Sequence, residues 1–284
     1  MTGFAPRQQT LAGPVETRGI ALHHGVDVAV RLVPAPPDHG IVFERVDLPG
    51  RPRIAVSPES VDAGGLQRRT ELAGSGAARV ATPEHLLAAC AGLGVDNLLV
   101  ELGGPELPIF DGSAAPWVEL IDRAGLAEQA APRRCFRLRR AVTLMEGDAD
   151  LVALPAERPH FTFFATLRHA GLPNQAAVFD PDRDDFRRAL APARTFCFYD
   201  EVRHLMDNGL IKGGSLDCAL VLRDGAPINA QYRLPNELAA HKLLDLIGDF
   251  AILGRPVAAH VSARGSGHAL HYAFIRKLQE ELIA

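Results

Sequence analysis

The sequence predicts an α+β fold built from two similar domains, each a sheet layered with helices. Three observations carry this. The first third is strand-rich, with Pro and Gly clusters between β-branched or alternating runs. A histidine-bearing helix, an apolar strand, a Gly/Ser loop and a second helix follow, and the same order recurs in the last quarter. Equivalent features keep a similar offset: His85 and His241 lie 156 residues apart, Ser113 and Ser266 153. Between the halves, 126–134 is rich in Ala, Pro and charge and reads as a linker. The expected division is therefore 1–125, 126–134 and 135–284.

In chain order, Asp27 to Val33 and Gly40 to Arg45 read as strands. Pro83 to Ala91 reads as a helix, with Thr82 as N-cap, Pro83 at the first helical position, and Gly92 and Gly94 ending it. Val95 to Leu102 is an apolar strand. Pro116 to Ala124 is a second helix, stopped by Gly125. In the last quarter, Asn236 to Leu253 is a helical run closed by Gly254. Pro256 to Ala263 is a strand, residues 264–268 form a loop, and His271 to Ile283 is an amphipathic helix. If the two helical layers face each other, the two histidine-bearing helices meet, and such interfaces are favoured places for sites.

Composition excludes some functions. The chain carries 30 Lys plus Arg against 34 Asp plus Glu, a net charge of −4. A nucleic-acid binder would show a basic surplus. No CxxC pair occurs among Cys90, Cys135, Cys197 and Cys218, and the N-terminal stretch lacks an apolar signal region. The longest apolar stretch, Leu86 to Leu102, is broken by Asp96 and Asn97, too polar at its centre to span a bilayer. A cytoplasmic protein with reduced thiols and no stable membrane insertion is expected.

The strongest local chemistry lies in AHKLLDLIGD, residues 240 to 249. His241, Asp245 and Asp249 fall at i, i+4 and i+8, on one helix face. A His and a carboxylate one turn apart suit two ligands of one metal ion, and a mixed N/O set suits catalytic zinc. The same spacing is equally that of an ordinary polar helix face. TPEHLL, residues 82 to 87, places Glu84 directly before His85: a third ligand beside a carboxylate able to take a proton from water. Glu84 would equally favour the helix dipole without further role. SGHAL, residues 266 to 270, surrounds His268 with small residues, leaving it open as a general acid or as a cation or as a plain turn histidine. Thr195 in ARTFCF offers a hydroxyl to an oxyanion, while Phe196 and Phe198 read more readily as core. No HExxH, GxSxG, Walker A or GxGxxG motif competes.

Together these pieces resemble one family, the UDP-3-O-acyl-N-acetylglucosamine deacetylases of lipid A synthesis. The resemblance runs from GIALHHG (19–25) and RLVPAPPDHGIVFERVDL (31–48) through TPEHLLAACAGLGVDNLLVEL (82–102) and PELPIFDGSAAPWVELI (105–121). It continues in NQ (174–175), ARTFCF (193–198), GLIKGGSLDCALVL (209–222), HKLLDLIGDFAILG (241–254) and SGHAL. It implies helical layers that face each other, with zinc between them, or Fe(II) in the same ligand set. It implies His85, His241 and Asp245 as ligands and Glu84 as general base. His268 matches the family's charged histidine, Asp249 the carboxylate that orients it, and Thr195 the oxyanion-stabilising threonine. Lys242 matches a substrate-contacting lysine, Phe196 belongs with the substrate contacts, and His23 lies where the family has a supporting histidine. The implied partner is an acylated UDP-sugar, handled by a monomer. Stretches 66–76 and 167–179 depart from the family pattern, the second being its acyl-passage segment. The other readings are a metal-dependent deacetylase of another N-acylated nucleotide sugar, and a catalytically silent relative that binds an acyl ligand.

Overall fold

Alternation of small β-branched residues with polar ones gives the first half its sheet. In Asp27–Pro34 every second residue is buried, so Val28, Val30 and Leu32 point into the core. The computed structural model describes residues 6–65, 69–156, 161–167, 171–207 and 211–283. Residues 1–5 of the N-terminal stretch, 66–68 and 168–170 of the two departing stretches, and 209–210 of the 209–222 motif lie outside the described residues.

The architecture is mixed α/β. Strands Val15–Ile20, Asp27–Pro34, Leu98–Leu102, Ile41–Arg45 and Arg53–Ala55 form a five-stranded sheet in that order. Its pairings are antiparallel except that of Ile41–Arg45 with Leu98–Leu102. In the second half, seven strands assemble around Val257–Arg264, which pairs with Ala149–Pro155 on one side and runs parallel to Phe161–Leu167. A separate three-stranded sheet joins Phe196–Phe198, Leu220–Arg223 and Ala226–Pro227.

Six helices are described: α1 (Glu84–Leu93), α2 (Ala115–Ala124), α3 (Phe186–Ala189), α4 (Tyr199–Asp207), α5 (Glu237–Phe250) and α6 (His268–Gln279). Helix α1 of the first half packs against α5 of the second, and α5 also touches α6. One apolar core runs through both halves, joining Phe43, Leu86 and Trp117 to Leu243, Ile247 and Phe250. Burial of each such side chain contributes roughly 1.5–3 kcal/mol. No described helix is long and apolar enough to cross a membrane. All four cysteines are free thiols.

Several local expectations shift. Helix α1 starts at Glu84, with Pro83 rather than Thr82 as its cap. Thr82 instead sits at φ 57°, and its hydroxyl donates to the buried Glu106 carboxylate at 3.0 Å. A buried carboxylate must be satisfied, and that demand outcompetes the cap. Gly92 lies inside the helix and Gly94 closes it in the left-handed conformation, φ 78°. Within 126–134, the stretch read as connecting the two halves, Leu126–Pro132 forms a strand antiparallel to Arg7–Leu11. Its side chains are largely exposed, which explains its linker-like composition. The last helix begins at His268, three residues earlier than expected, so His268 stands at a helix N-terminus rather than in a loop.

Helices α1 and α5 approach closely at Gly248, where a Cβ would lie 2.2 Å from the Glu84 carbonyl oxygen. Neither backbone can yield, so only glycine fits. Gly248→Val is expected to cost at least about 1–3 kcal/mol through overpacking, read as a lower urea midpoint with an unchanged m-value.

Candidate active site

Three helices and one strand-linked threonine bring the functional groups together. Helix α1 supplies Glu84 and His85 from its first turn. Helix α5 supplies His241, Asp245 and Asp249 from successive turns, and α6 supplies His268. All six are buried. The ligand atoms of His85, His241 and Asp245 all lie within 4.8 Å of one another. His85 Nε2 is 3.8 Å and His241 Nε2 3.4 Å from Asp245 Oδ1, and the two imidazoles meet edge to face.

Their protonation states suit metal binding. Burial, reinforced by His241, pushes the His85 pKa down to about 3. Burial also lowers that of His241. Both rings are therefore neutral at pH 7, as ligands must be. The His241 Nδ1–H donates to the Ala193 carbonyl at 3.1 Å, leaving Nε2 as the free donor atom. Burial alone would raise the Asp245 pKa, but His241, Lys242 and His268 outweigh it and hold the carboxyl well below the usual carboxylate range. Two neutral imidazoles and one carboxylate are a fit donor set for a divalent metal ion.

Glu84 differs from its neighbours. Burial pushes its pKa up to about 8, against the pull of His268. The Thr70 backbone N–H donates to Glu84 Oε2 at 3.3 Å. His268 is shifted the opposite way. Burial opposes its charge, yet the Asp249 carboxylate, 2.7 Å from Nδ1, raises its pKa to about 9. Asp249 falls to about 2, because His268 and His271 outweigh the effect of burial. It accepts a further hydrogen bond from the Thr70 hydroxyl at 2.6 Å.

These groups open onto a cavity of about 990 Å³. Thr195, Phe196, Lys242 and His23 line it, as do Glu84, His85, His241, Asp245 and His268. Asp249 is absent from the lining, so it acts on the cavity through His268. The Thr195 backbone N–H donates to the Gly112 carbonyl at 2.7 Å, fixing the residue at the rim. The Lys242 ammonium sits 3.1 Å from Asp245 Oδ2 and 5.6 Å from the Phe196 ring centre. His23 is buried, which lowers its pKa to about 4. Its backbone N–H and that of His24 donate to Glu106.

The full chain can be placed among known proteins. The model of the UDP-3-O-acyl N-acetylglycosamine deacetylase family matches residues 8–280. The chain belongs to this family. A Myxococcus xanthus protein named UDP-3-O-acyl-N-acetylglucosamine deacetylase is 43% identical over 277 residues, covering 96% of this chain and 87% of that protein. Proteins of the same name from Thermosynechococcus vestitus and Acidithiobacillus ferrooxidans are 41% and 42% identical. They cover 98% and 96% of this chain, and 96% and 90% of their own lengths.

Sequence reasoning missed Thr70, Glu106 and His271. Thr70 and Glu106 act across long separations that no local spacing signals. His271 follows His268 by one helical turn, and the i, i+3 spacing was the available signal.

The His268 shift has a stability consequence. Its folded pKa of about 9 lies above the ordinary 6.5, so its stabilising contribution is complete below about 6.5 and lost as pH rises through about 9. In metal-free protein, the stability advantage of wild type over His268→Gln is expected to shrink across that window, measured by urea unfolding at pH 6 and pH 9.5.

Proposed function

We propose that this chain hydrolyses the acetamide of UDP-3-O-(acyl)-N-acetylglucosamine, giving the free 2-amine and acetate, the committed step of lipid A biosynthesis. The observation that carries this reading is the meeting of His85, His241 and Asp245, with Glu84 lining the same cavity. That arrangement puts a proton acceptor next to a metal-ligand set. The proposed domains are 1–125 and 135–284, similar α+β units with helical layers facing across the site, and 126–134 connecting them. The proposed setting is the cytoplasm, with the protein acting as a monomer.

His85, His241 and Asp245 would hold zinc, or Fe(II) in the same donor set. A bound zinc ion acts as a Lewis acid and lowers the pKa of water to about 7. The remaining work falls to the chain. Glu84 takes a proton from the attacking water onto its carboxylate. Burial puts its pKa at about 8; the positive charge of a metal ion held by His85, His241 and Asp245 would draw it down, leaving the carboxylate ionised and able to take that proton. The Thr195 hydroxyl donates to the oxygen that gains negative charge as the carbonyl becomes tetrahedral. His268, charged through Asp249, gives its proton to the leaving amine. Lys242, Phe196 and His23 provide substrate contacts in the same cavity.

Metal content and acetate release from the acylated UDP-sugar, before and after chelation, test this reading together. About one metal ion per chain is expected, with activity lost on chelation and regained with zinc. Bound metal with no acetate release would move the function to another N-acyl sugar or to silent binding.

Glu84→Ala is expected to retain its metal and to lose on the order of 100- to 10,000-fold in turnover. Metal analysis alongside steady-state kinetics reads both, and full activity in that variant removes the base assignment.

A further inference from the structure

The chemistry above leaves one buried titratable group of the cluster unused. His271 lies one turn after His268 on α6 and is 1% exposed. Its Nδ1 is 2.7 Å from Asp249 Oδ2, the same oxygen that His268 Nδ1 approaches at 2.7 Å. Its Nε2 is 2.8 Å from Ser266 Oγ. The other Asp249 oxygen accepts from the Thr70 hydroxyl.

An ionised carboxylate only accepts, so His271 Nδ1 must carry a proton. Two cationic imidazoles, with centroids 6.0 Å apart, would then compete for one buried carboxylate. Asp249 and Asp245 act on this pair from α5 and Glu84 from α1, and His268 in turn acts on His85 and His241. Burial opposes a charge on His271 and pushes its pKa down, whereas Asp249 and its neighbours raise that of His268. The charge therefore belongs to His268. A neutral His271 with its proton on Nδ1 has a bare Nε2, which accepts from the Ser266 hydroxyl. The resulting chain runs Ser266 to His271 to Asp249, and from Asp249 to His268.

We propose that His271 is a positioning residue: as the neutral Nδ1–H tautomer, locked by Ser266, it clamps the Asp249 carboxylate in the orientation that holds His268. A carboxylate torsion is broad and weakly preferred on its own. Thr70 fixes one oxygen and His271 the other, leaving one carboxylate geometry for His268. Ser266 belongs to the cavity wall, so the same chain ties the wall to the buried pair. This inference rests on the role given to His268 above.

The test separates the two ends of the imidazole. In His271→Asn the amide nitrogen takes the place of Nδ1 and keeps the Asp249 bond. In His271→Gln it reaches instead toward the Nε2 position, and His271→Leu keeps neither bond. The Asn variant should retain most of kcat. The Gln and Leu variants should lose roughly 10- to 100-fold in kcat, the range carried by partners that orient functional imidazoles, with KM and metal content unchanged. An Asn variant as impaired as Leu, or an unimpaired Leu variant, overturns the proposal. Ring ¹⁵N spectra of the wild-type protein give a readout independent of the reaction. The expected state of His271 is neutral with its proton on Nδ1, and an Nε2–H tautomer or an imidazolium overturns the clamp. If the wild type released no acetate, the reaction assignment would fail, while the tautomer would still decide the positioning.

Discussion

The close contact of α1 and α5 is the constraint on which the rest depends. Gly248 lets the Glu84 backbone lie against α5 without a side chain between them. That contact brings the first turn of one helix beside the middle turns of the other. His85 then reaches Asp245, and Glu84 comes under the influence of His268, Asp249 and Asp245. A wider crossing would leave each helix with its own polar stripe and no shared site. Apolar residues of both helices, Leu86 and Leu87 of α1 and Leu243 and Ile247 of α5, join one core and supply the energy that holds the contact.

Within that contact, three carboxylates of similar burial behave differently because their partners differ. Glu84 is raised, since burial outweighs the pull of His268. Asp245 and Asp249 are held low, since each faces imidazoles, and Asp245 also Lys242. One fold thus keeps a carboxyl of raised pKa beside two carboxylates held low. The histidines divide in the same way. His85, His241 and His271 stay neutral because burial dominates, while His268 is charged because Asp249 dominates. Function follows from which opposing effect wins at each position, with no exotic residue required.

Another buried carboxylate, Glu106, shapes the approach to the site. Glu106 collects the backbone N–H groups of His23 and His24, the His24 ring and the Thr82 hydroxyl. Thr82 is thereby held at a positive φ immediately before Pro83 and Glu84. Such a conformation costs on the order of 1–3 kcal/mol for a non-glycine residue and persists only when its surroundings over-determine it. Here the surroundings are the Glu106 hydrogen bonds and the bond from the Thr82 N–H to the Thr70 carbonyl. The same Thr70 steadies Asp249, so the approach to α1 and the anchor of His268 share a residue.

The sequence by itself determined the local faces. His241, Asp245 and Asp249 were legible on one side of a helix because helical spacing is written in consecutive residues, and the strands and closing glycines were legible for the same reason. His85 and His268 were visible as candidates, and the family resemblance supplied the roles that spacing left open. Tertiary structure alone decided the partners. Thr82 serves a carboxylate 24 residues away instead of capping its helix, Leu126–Pro132 finds a strand partner at the N-terminus, and Thr70 reaches Asp249 across 179 residues. The physical reason is one of range. A periodic pattern fixes which side of an element is apolar or polar, but a hydrogen bond or a pKa depends on what packing brings within a few ångströms, and that distance is set only when the chain has folded.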